Sequence, residues 1–188
     1  LPILHYPDYS DYKIDQYLWA NNLPHMLVTG SAGCVRDCDF CDVNKQFGRF
    51  RFKDGTQLAE ELIYLQGQYK VNKFLLTDSL SNGGMKPFTA FLTRLAEYNS
   101  QASHPITWSG QYINRNELQF KTDVEQYFQL LKQSGAEGLT IGIETGSNYV
   151  LKHMNKKTTV ESLFFELEYF RKYNISCKLL TFVGHWSE

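Results

Sequence analysis

Short apolar runs alternate with longer amphipathic stretches along most of the chain. The short runs are typical of strands, and the stretches between them place apolar residues at helical spacing. The predicted strands cover residues 26–30, 73–78, 106–108, 139–144 and 175–183, and the predicted helices 57–69, 87–95, 124–131 and 160–170. Repeated strand–helix alternation implies right-handed crossovers and a parallel sheet, flat or curled into a barrel. We therefore predict an α/β fold with about five strand–helix units.

The composition narrows the range of partners. The 188 residues suffice for one domain with its own core, and the formal net charge is −1. This charge gives no electrostatic reason to expect nucleic acid or an anionic membrane as partner. No apolar run reaches the roughly 20 residues that a membrane-spanning helix needs.

Three of the four cysteines lie within eight residues, as Cys34, Cys38 and Cys41. In a chain of this size, clustered thiols are more typical of a metal site in a reducing compartment than of a disulfide framework, so we expect a cytoplasmic protein. Soft thiolates favour zinc or iron–sulfur clusters. A cubane cluster normally takes four cysteines, so three would leave one iron open to a substrate or cofactor.

Two other metal sites remain alternatives. A structural zinc ion takes four closed ligands, and either Cys177 or His25 would have to complete the set from a distant position. A plain electron carrier would normally show a fourth cysteine nearby. Cys177 itself lies in an apolar strand, where a buried free thiol is expected. The cysteines follow the first predicted strand, at the strand end where α/β folds place their chemistry, which favours the open cluster.

The spacing Cys-x₃-Cys-x₂-Cys, with Phe40 just before the last cysteine, resembles the motif of the radical S-adenosylmethionine superfamily. Residues 142–147, Gly-Ile-Glu-Thr-Gly-Ser, are similar to an element at the end of that superfamily's fourth strand. Leu151, Met154 and Lys156, and then residues 182–184, also follow as in many members. The resemblance covers nearly all of residues 27–188.

This resemblance implies a partial (β/α)₆-type parallel barrel. Residues 1–22 would be a linker or arm, and residues 23–188 the catalytic core. Because five units are counted where the family usually has six, we expect the natural chain to continue past residue 188.

The resemblance also implies roles for individual residues. Cys34, Cys38 and Cys41 would ligate three irons of a [4Fe–4S] cluster, whose fourth iron would chelate S-adenosylmethionine. Phe40 would pack near the adenine. Glu144 would accept hydrogen bonds from the ribose hydroxyls, and Thr145 and Ser147 of the same element would also bind the cofactor.

The end of the second barrel strand is a departure from the family pattern. There the family often has Gly-Gly-Glu, which contacts the methionine amino group. This chain has Thr77, Asp78 and Ser79 at the matching positions, and the resemblance implies that they bind the cofactor there. Asp78 beside Ser and Asn is also a common turn former.

The implied reaction is reductive cleavage of S-adenosylmethionine to methionine and a 5′-deoxyadenosyl radical, which abstracts hydrogen from an unidentified substrate. A one-electron donor such as flavodoxin or ferredoxin would be the partner. The opposing hypothesis is a non-catalytic scaffold that holds zinc or a degenerate iron–sulfur cluster.

Two segments, residues 6–12 and 78–83, resemble the cobalamin-binding branch of the superfamily. No Asp-x-His-x-x-Gly cobalamin motif occurs in the 188 residues, so a cobalamin domain would have to precede Leu1. Its reaction would be a cobalamin-dependent methyl transfer or rearrangement. Methylthiotransferases fit less well, because a second cysteine trio is lacking.

Other polar residues have a structural and a functional interpretation. The basic residues around the cysteines could offset cluster charge or contact a reductant, but we expect a solvated face. They are Arg36, Lys45, Arg49, Arg51 and Lys53. The basic stretch 152–157 is likewise expected to be solvated. Four residues after the third strand are candidates to line the pocket: Trp108, Gln111, Asn114 and Arg115.

Overall fold

The structure is a computed structural model that describes residues 6–16, 25–120 and 123–187. Its strands are β1 (Met26–Val28), β2 (Ser31–Ala32), β3 (Arg51–Phe52), β4 (Lys73–Leu76), β5 (Thr107–Tyr112), β6 (Ala136–Glu144) and β7 (Ser176–Thr181). Its helices are α1 (Val43–Phe47), α2 (Gly55–Tyr69), α3 (Met85–Asn99), α4 (Val124–Gln133), α5 (Asn148–His153) and α6 (Val160–Lys172). Short 3₁₀ turns lie at Ile14–Gln16 and Asn116–Phe120.

Five strands form one parallel sheet in the order β1-β4-β5-β6-β7. Helices α2, α3, α4 and α6 contact one another in that order. Alternation along β4 matches this arrangement: Phe74 and Leu76 are buried, whereas Lys73 and Leu75 are only half-buried. The predicted α/β class is confirmed, with the sheet and helices of a partial β/α barrel.

The core is strongly aromatic where the sheet meets α3. Trp108 is fully buried and makes edge-on contacts with Phe91 and Phe88, at centroid distances of 5.3 and 6.0 Å. Its indole N–H donates to Ser134 Oγ at 3.2 Å, so the polar edge of the ring is also satisfied inside the protein. The expectation that Trp108 lines a pocket is wrong, because the alternation along β5 points its side chain into this core.

A small antiparallel hairpin of β2 and β3 encloses the cysteine segment and helix α1. The hydrophobic pattern does not predict it, because its two-residue strands are too short to show a period. Gly33 connects β2 to Cys34 with φ of 83°, which favours glycine. A Cβ there would lie 2.9 Å from the Gly48 carbonyl oxygen, so the turn also needs the missing side chain for close approach.

The predicted end of the last strand is wrong, and the predicted boundary between the arm and the core stays a prediction. The last strand was predicted to cover 175–183 but ends at Thr181, and Val183 beyond it is 88% exposed. As the edge strand, β7 has a neighbour on one side only among the described residues, and Cys177 is half-buried rather than buried. Part of the predicted arm at 1–22 packs on α2, with the Tyr9 N–H donating to Tyr69 Oη at 2.6 Å. The rest, residues 1–5 and 17–22, lies outside the described residues, and the boundary stays a prediction.

No helix in the described part of the chain is long and apolar enough to cross a membrane.

Candidate functional site

The carboxyl ends of the parallel strands bring the predicted site residues to one edge of the sheet. The cysteine loop follows β1 and β2, Thr77 follows β4, and Glu144 ends β6. Strand pairing joins these ends: Val28 is in register with Leu76, and Glu144 with Thr181. The side-chain hydroxyls of Thr29 and Thr77 lie 2.8 Å apart across the first pair.

The three thiols of the cysteine loop are free, and Cys38 is the most buried of them. Burial raises the pKa of the Cys38 thiol, the ammonium of Lys156 opposes that rise, and the nearby thiols of Cys34 and Cys41 add to it. The three thiols thus lie in one loop, and the Lys156 ammonium lies 5.7 Å from the ring of Phe40 in that loop. A thiolate donor set with neighbouring positive charge fits an iron–sulfur cluster.

The alternative occupant of the cysteine loop is a single zinc ion. Across the described residues, no three His, Cys, Asp or Glu side chains converge tightly enough to hold a single metal ion. Tetrahedral zinc with bonds of about 2.3 Å needs them to do so, whereas a cubane binds each thiolate at a separate iron.

Neither proposed fourth zinc ligand lies near the cysteine loop. Cys177 is in register with Leu139, which lies five residues before Glu144 on β6. Cys177 is therefore about 16 Å from the edge of the sheet that carries the predicted site residues. His25 immediately precedes β1, at the opposite end of that strand from the loop. Neither Cys177 nor His25 is therefore placed to be the fourth ligand of a closed zinc site at this loop.

The cysteine loop is held on one side by helix α1. Asn44, in α1, accepts from the Cys34 N–H at 3.2 Å and donates through its amide to the Arg36 carbonyl oxygen. This single side chain closes the first turn of the loop.

The other side of the loop rests on the segment after α5. The Asp39 N–H donates to the Met154 carbonyl at 3.1 Å, and the Asn155 amide donates to the Asp37 carbonyl at 2.6 Å. The Arg36 guanidinium donates to the Lys157 carbonyl at 2.8 Å. We call residues 154–157 the clasp.

The prediction of a solvated basic stretch at 152–157 holds for Lys152 and Lys157, which are exposed, but is wrong for Lys156, whose side chain is only 11% exposed. Met154 is fully buried, and Asn155 and Lys157 have left-handed backbone with φ of 55° and 57°. Such backbone in non-glycine residues is costly and often marks a functional segment. The solvated-face prediction also fails for Arg36, which is half-buried and docked on backbone carbonyls, whereas Lys53 is exposed as expected and pairs with buried Glu61 at 2.7 Å.

Glu144, the last residue of β6, has a left-handed backbone conformation. Its φ is 61°, and the β6–β7 register shifts between Gly142 and Glu144, which re-aims the side chain. Its carboxylate pairs with Lys156 at 2.5 Å, and the two side chains are only 12% and 11% exposed. The Lys156 ammonium also lies 5.7 Å from the Phe40 ring centroid. Sequence reasoning noted Lys156 only as part of the family resemblance, and nothing in its polar surroundings marked it as the partner of Glu144.

Three other residues of the predicted site lie nearby. Phe40 is 37% exposed and packs on Phe182 with a centroid distance of 5.4 Å. Ser147 caps α5 by accepting from the Val150 N–H, and Thr145 Oγ1 accepts from the Ser147 N–H at 3.3 Å. These two hydroxyls shape the turn after β6.

The residues after β4 divide into exposed and buried. Thr77 and Ser79 are exposed at the functional edge, whereas Asp78 is only 4% exposed. Asp78 accepts from the Gly30 N–H at 2.7 Å. Burial raises the pKa of Asp78, and hydrogen bonds from Ser31 and Gly30 oppose the rise. The side chain therefore holds the start of the cysteine loop, while Thr77 and Ser79 face outward.

A buried hydrogen-bond network centres on Glu166 in α6 and includes residues at the end of β5 and just after it. Glu166 is 1% exposed and accepts from Tyr112 Oη at 2.9 Å, from the Asn114 amide at 2.7 Å and from the Arg115 N–H. Burial raises the pKa of Glu166 to about 8. Asn114, a candidate pocket residue, is 6% exposed and belongs to this network instead.

The family comparison agrees with this geometry. A family profile described as the Radical SAM superfamily matches residues 28–187. An anaerobic magnesium-protoporphyrin IX monomethyl ester cyclase of Rubrivivax gelatinosus is 24% identical over 156 residues, which are 82% of this chain and 27% of that protein. An uncharacterized methyltransferase of Pyrococcus horikoshii is 24% identical over 170 residues, 90% of this chain and 35% of that protein. The chain thus spans about a third or less of these relatives.

A solved structure shares the fold. The radical S-adenosylmethionine methyltransferase TsrM of Kitasatospora setae, with cobalamin and a [4Fe–4S] cluster bound, superposes with a TM-score of 0.70 at 15% identity. The superposition covers 85% of this chain and 31% of TsrM.

Proposed function

Because the chain belongs to the radical SAM superfamily, we propose that Cys34, Cys38 and Cys41 hold a [4Fe–4S] cluster and that the chain binds S-adenosylmethionine beside it. The observation that carries the proposal is the placement of the three free thiols and of the Glu144–Lys156 pair at the same edge of the sheet. When bound, the cluster supplies one electron to the sulfonium, which breaks a carbon–sulfur bond to give methionine and a 5′-deoxyadenosyl radical.

The chain's own residues would bind and orient the cofactor. Glu144 is the acceptor for the ribose hydroxyls, since its carboxylate is aimed by the left-handed turn and held by Lys156. Lys156 supplies the positive charge that a carboxylate of the methionine moiety requires. The Phe40 ring, close to both, gives an apolar face for the adenine.

The outward hydroxyls after β4 complete the proposed site. Thr77 and Ser79 are exposed and can accept from an ammonium group, which matches the predicted contact to the methionine amino group. Asp78 is turned inward to Gly30, so we assign it to holding the loop and not to a direct contact. Thr145 and Ser147 shape the turn that presents Glu144.

Product analysis tests this function. The chain is reconstituted anaerobically with iron and sulfide, reduced with dithionite and incubated with S-adenosylmethionine. We expect 5′-deoxyadenosine and methionine by mass spectrometry, and neither product from a Cys38→Ala control. A reconstituted, reduced wild type that yields no 5′-deoxyadenosine would favour the non-catalytic scaffold.

A cobalamin-dependent reaction is the subclass we favour, because the fold matches a cobalamin-bound methyltransferase with a TM-score of 0.70. For the whole protein we propose a cytoplasmic location, a flavodoxin or ferredoxin as electron donor, and a substrate that this chain alone does not identify. The full-length protein, given cobalamin and S-adenosylmethionine labelled in the methyl group, should transfer label to a product. Absence of methyl transfer would leave a rearrangement as the cobalamin-dependent alternative.

A further inference from the structure

We propose that Arg36 is a positioning residue that docks the cysteine loop onto two backbone carbonyls and thereby fixes the geometry and charge environment of the cluster. The proposal rests on the proposed function, because it concerns how this chain holds the same cluster. Arg36 lies midway between Cys34 and Cys38, two residues from each.

The docking contacts reach far along the chain. The Arg36 guanidinium donates to the Lys157 carbonyl at 2.8 Å and to the Asn114 carbonyl at 3.1 Å. One carbonyl belongs to the clasp after α5 and the other to the loop after β5. A planar guanidinium can serve two such acceptors at once in a fixed orientation, whereas a lysine ammonium acts as a compact point charge on a flexible stem.

The receiving carbonyls lie on a rigid base. The buried Asn114 amide donates to the Ser162 carbonyl at 3.0 Å and to Glu166. The Asn116 amide donates to the Lys157 carbonyl at 3.3 Å, which ties the two receiving segments together. A supporting network of this kind is what holds a site to a single geometry.

At the cluster end, the backbone of Arg36 is fixed as well. Its N–H donates to the Cys34 sulfur at 3.4 Å, and its carbonyl accepts from Asn44. Movement of Arg36 would therefore move Cys34, which is tied to it directly and through Asn44. Its fixed positive charge near the thiolates stabilises the more negative, reduced cluster and should raise the reduction potential.

Two variants separate charge from geometry, and a third is the control. Arg36→Lys keeps the charge and loses the two-pronged contact, and Arg36→Gln loses both. Arg49→Gln removes a charge from the same hairpin, but Arg49 is exposed. Each full chain is measured for iron release to a chelator after reconstitution, for midpoint potential, and for hydrogen exchange of the 34–41 amides before reconstitution.

We expect both Arg36 variants to release iron about 10-fold faster than wild type, as two lost hydrogen bonds imply. Only Arg36→Gln should also lower the potential, and Arg49→Gln should match wild type in all three measurements. Wild-type release and exchange rates in both Arg36 variants would overturn the proposal. If Arg36→Gln does not fold, Arg36→Lys alone decides on the same criteria. If the wild type binds no cluster, the proposed function fails, and faster exchange of the 34–41 amides then decides the docking separately.

Discussion

The carboxylate of Glu144 lies 2.5 Å from the ammonium of Lys156, and the pair links the end of β6 to the clasp that holds the cysteine loop. Asn155 and Lys157, the neighbours of Lys156, contact Asp37 and Arg36 in that loop. The proposed ribose acceptor and the proposed cluster ligands therefore share one support.

Glu144→Gln should weaken S-adenosylmethionine binding by about 10- to 100-fold, the loss expected for hydrogen bonds to a charged acceptor. It would also leave Lys156 nearly buried without its anionic partner. Calorimetric titration of the reconstituted protein measures the change, while iron content should stay at the wild-type value. The control is Glu161→Gln, because Glu161 is exposed and its carboxylate accepts hydrogen bonds from the Asn148 side chain in α5. Equal affinity in wild type and Glu144→Gln would remove Glu144 from the binding site.

Replacement of any one of Cys34, Cys38 or Cys41 by serine should abolish the four-iron cluster, because a cubane held by three thiolates has no spare protein ligand. Cys177→Ser is the matched control, since this half-buried thiol lies on β7, four residues before the strand end that pairs with Glu144. Iron and sulfide assays after reconstitution distinguish the two groups. A Cys177→Ser chain that lost the cluster, or a Cys41→Ser chain that kept four irons, would contradict the ligand assignment.

Asp78→Ala should lower the free energy of unfolding by about 1–3 kcal/mol, because the buried Gly30 N–H would lose its acceptor. Asp78→Asn should cost less, since an amide oxygen can still accept that bond. Ser79→Ala, at the exposed neighbouring position, should change stability by less than about 0.5 kcal/mol. Urea unfolding of the metal-free chain provides the values. Equal stability of wild type and Asp78→Ala would exclude the holding role.

Glu166 should make the fold less stable as the pH rises. Burial raises the pKa of Glu166 to about 8 from an ordinary value of 4.5, so between these pH values the folded chain keeps a proton that the unfolded chain has lost. Stability therefore falls as the pH rises through this window, by on the order of a few kcal/mol. Burial also raises the pKa values of Tyr112 and Tyr127 above the ordinary value of 10, so these phenols stay neutral in the window.

The Glu166→Gln variant provides the measurement for this dependence. Its amide cannot ionise, so urea unfolding at pH 5, 6.5 and 8 should give a flatter profile than wild type. Parallel profiles for the two proteins would assign the pH dependence to other groups.

The fold could be predicted from the sequence because it depends on local patterns, and the cysteine site is a prediction from a local motif. Phe74 and Leu76 alternate with half-buried neighbours, which is a signal that can be read along one strand. The clasp could not be predicted in this way. Asn155 and Lys157 stand in a polar stretch, and they contact the loop across more than 110 residues of chain. The sequence predicts the wrong position for Trp108 and leaves that of Asp78 undecided for the same reason. Only the packed sheet determines whether the side chain of a residue near a strand end points into the core or toward the site.

The most direct test of the central claim is electron paramagnetic resonance of the anaerobically reconstituted, dithionite-reduced chain with and without S-adenosylmethionine. We predict a [4Fe–4S]⁺ signal that changes when S-adenosylmethionine is added, as expected if the cofactor binds the iron that no cysteine holds. A protein that shows no such cluster, and that instead carries stoichiometric zinc as purified, would contradict the account.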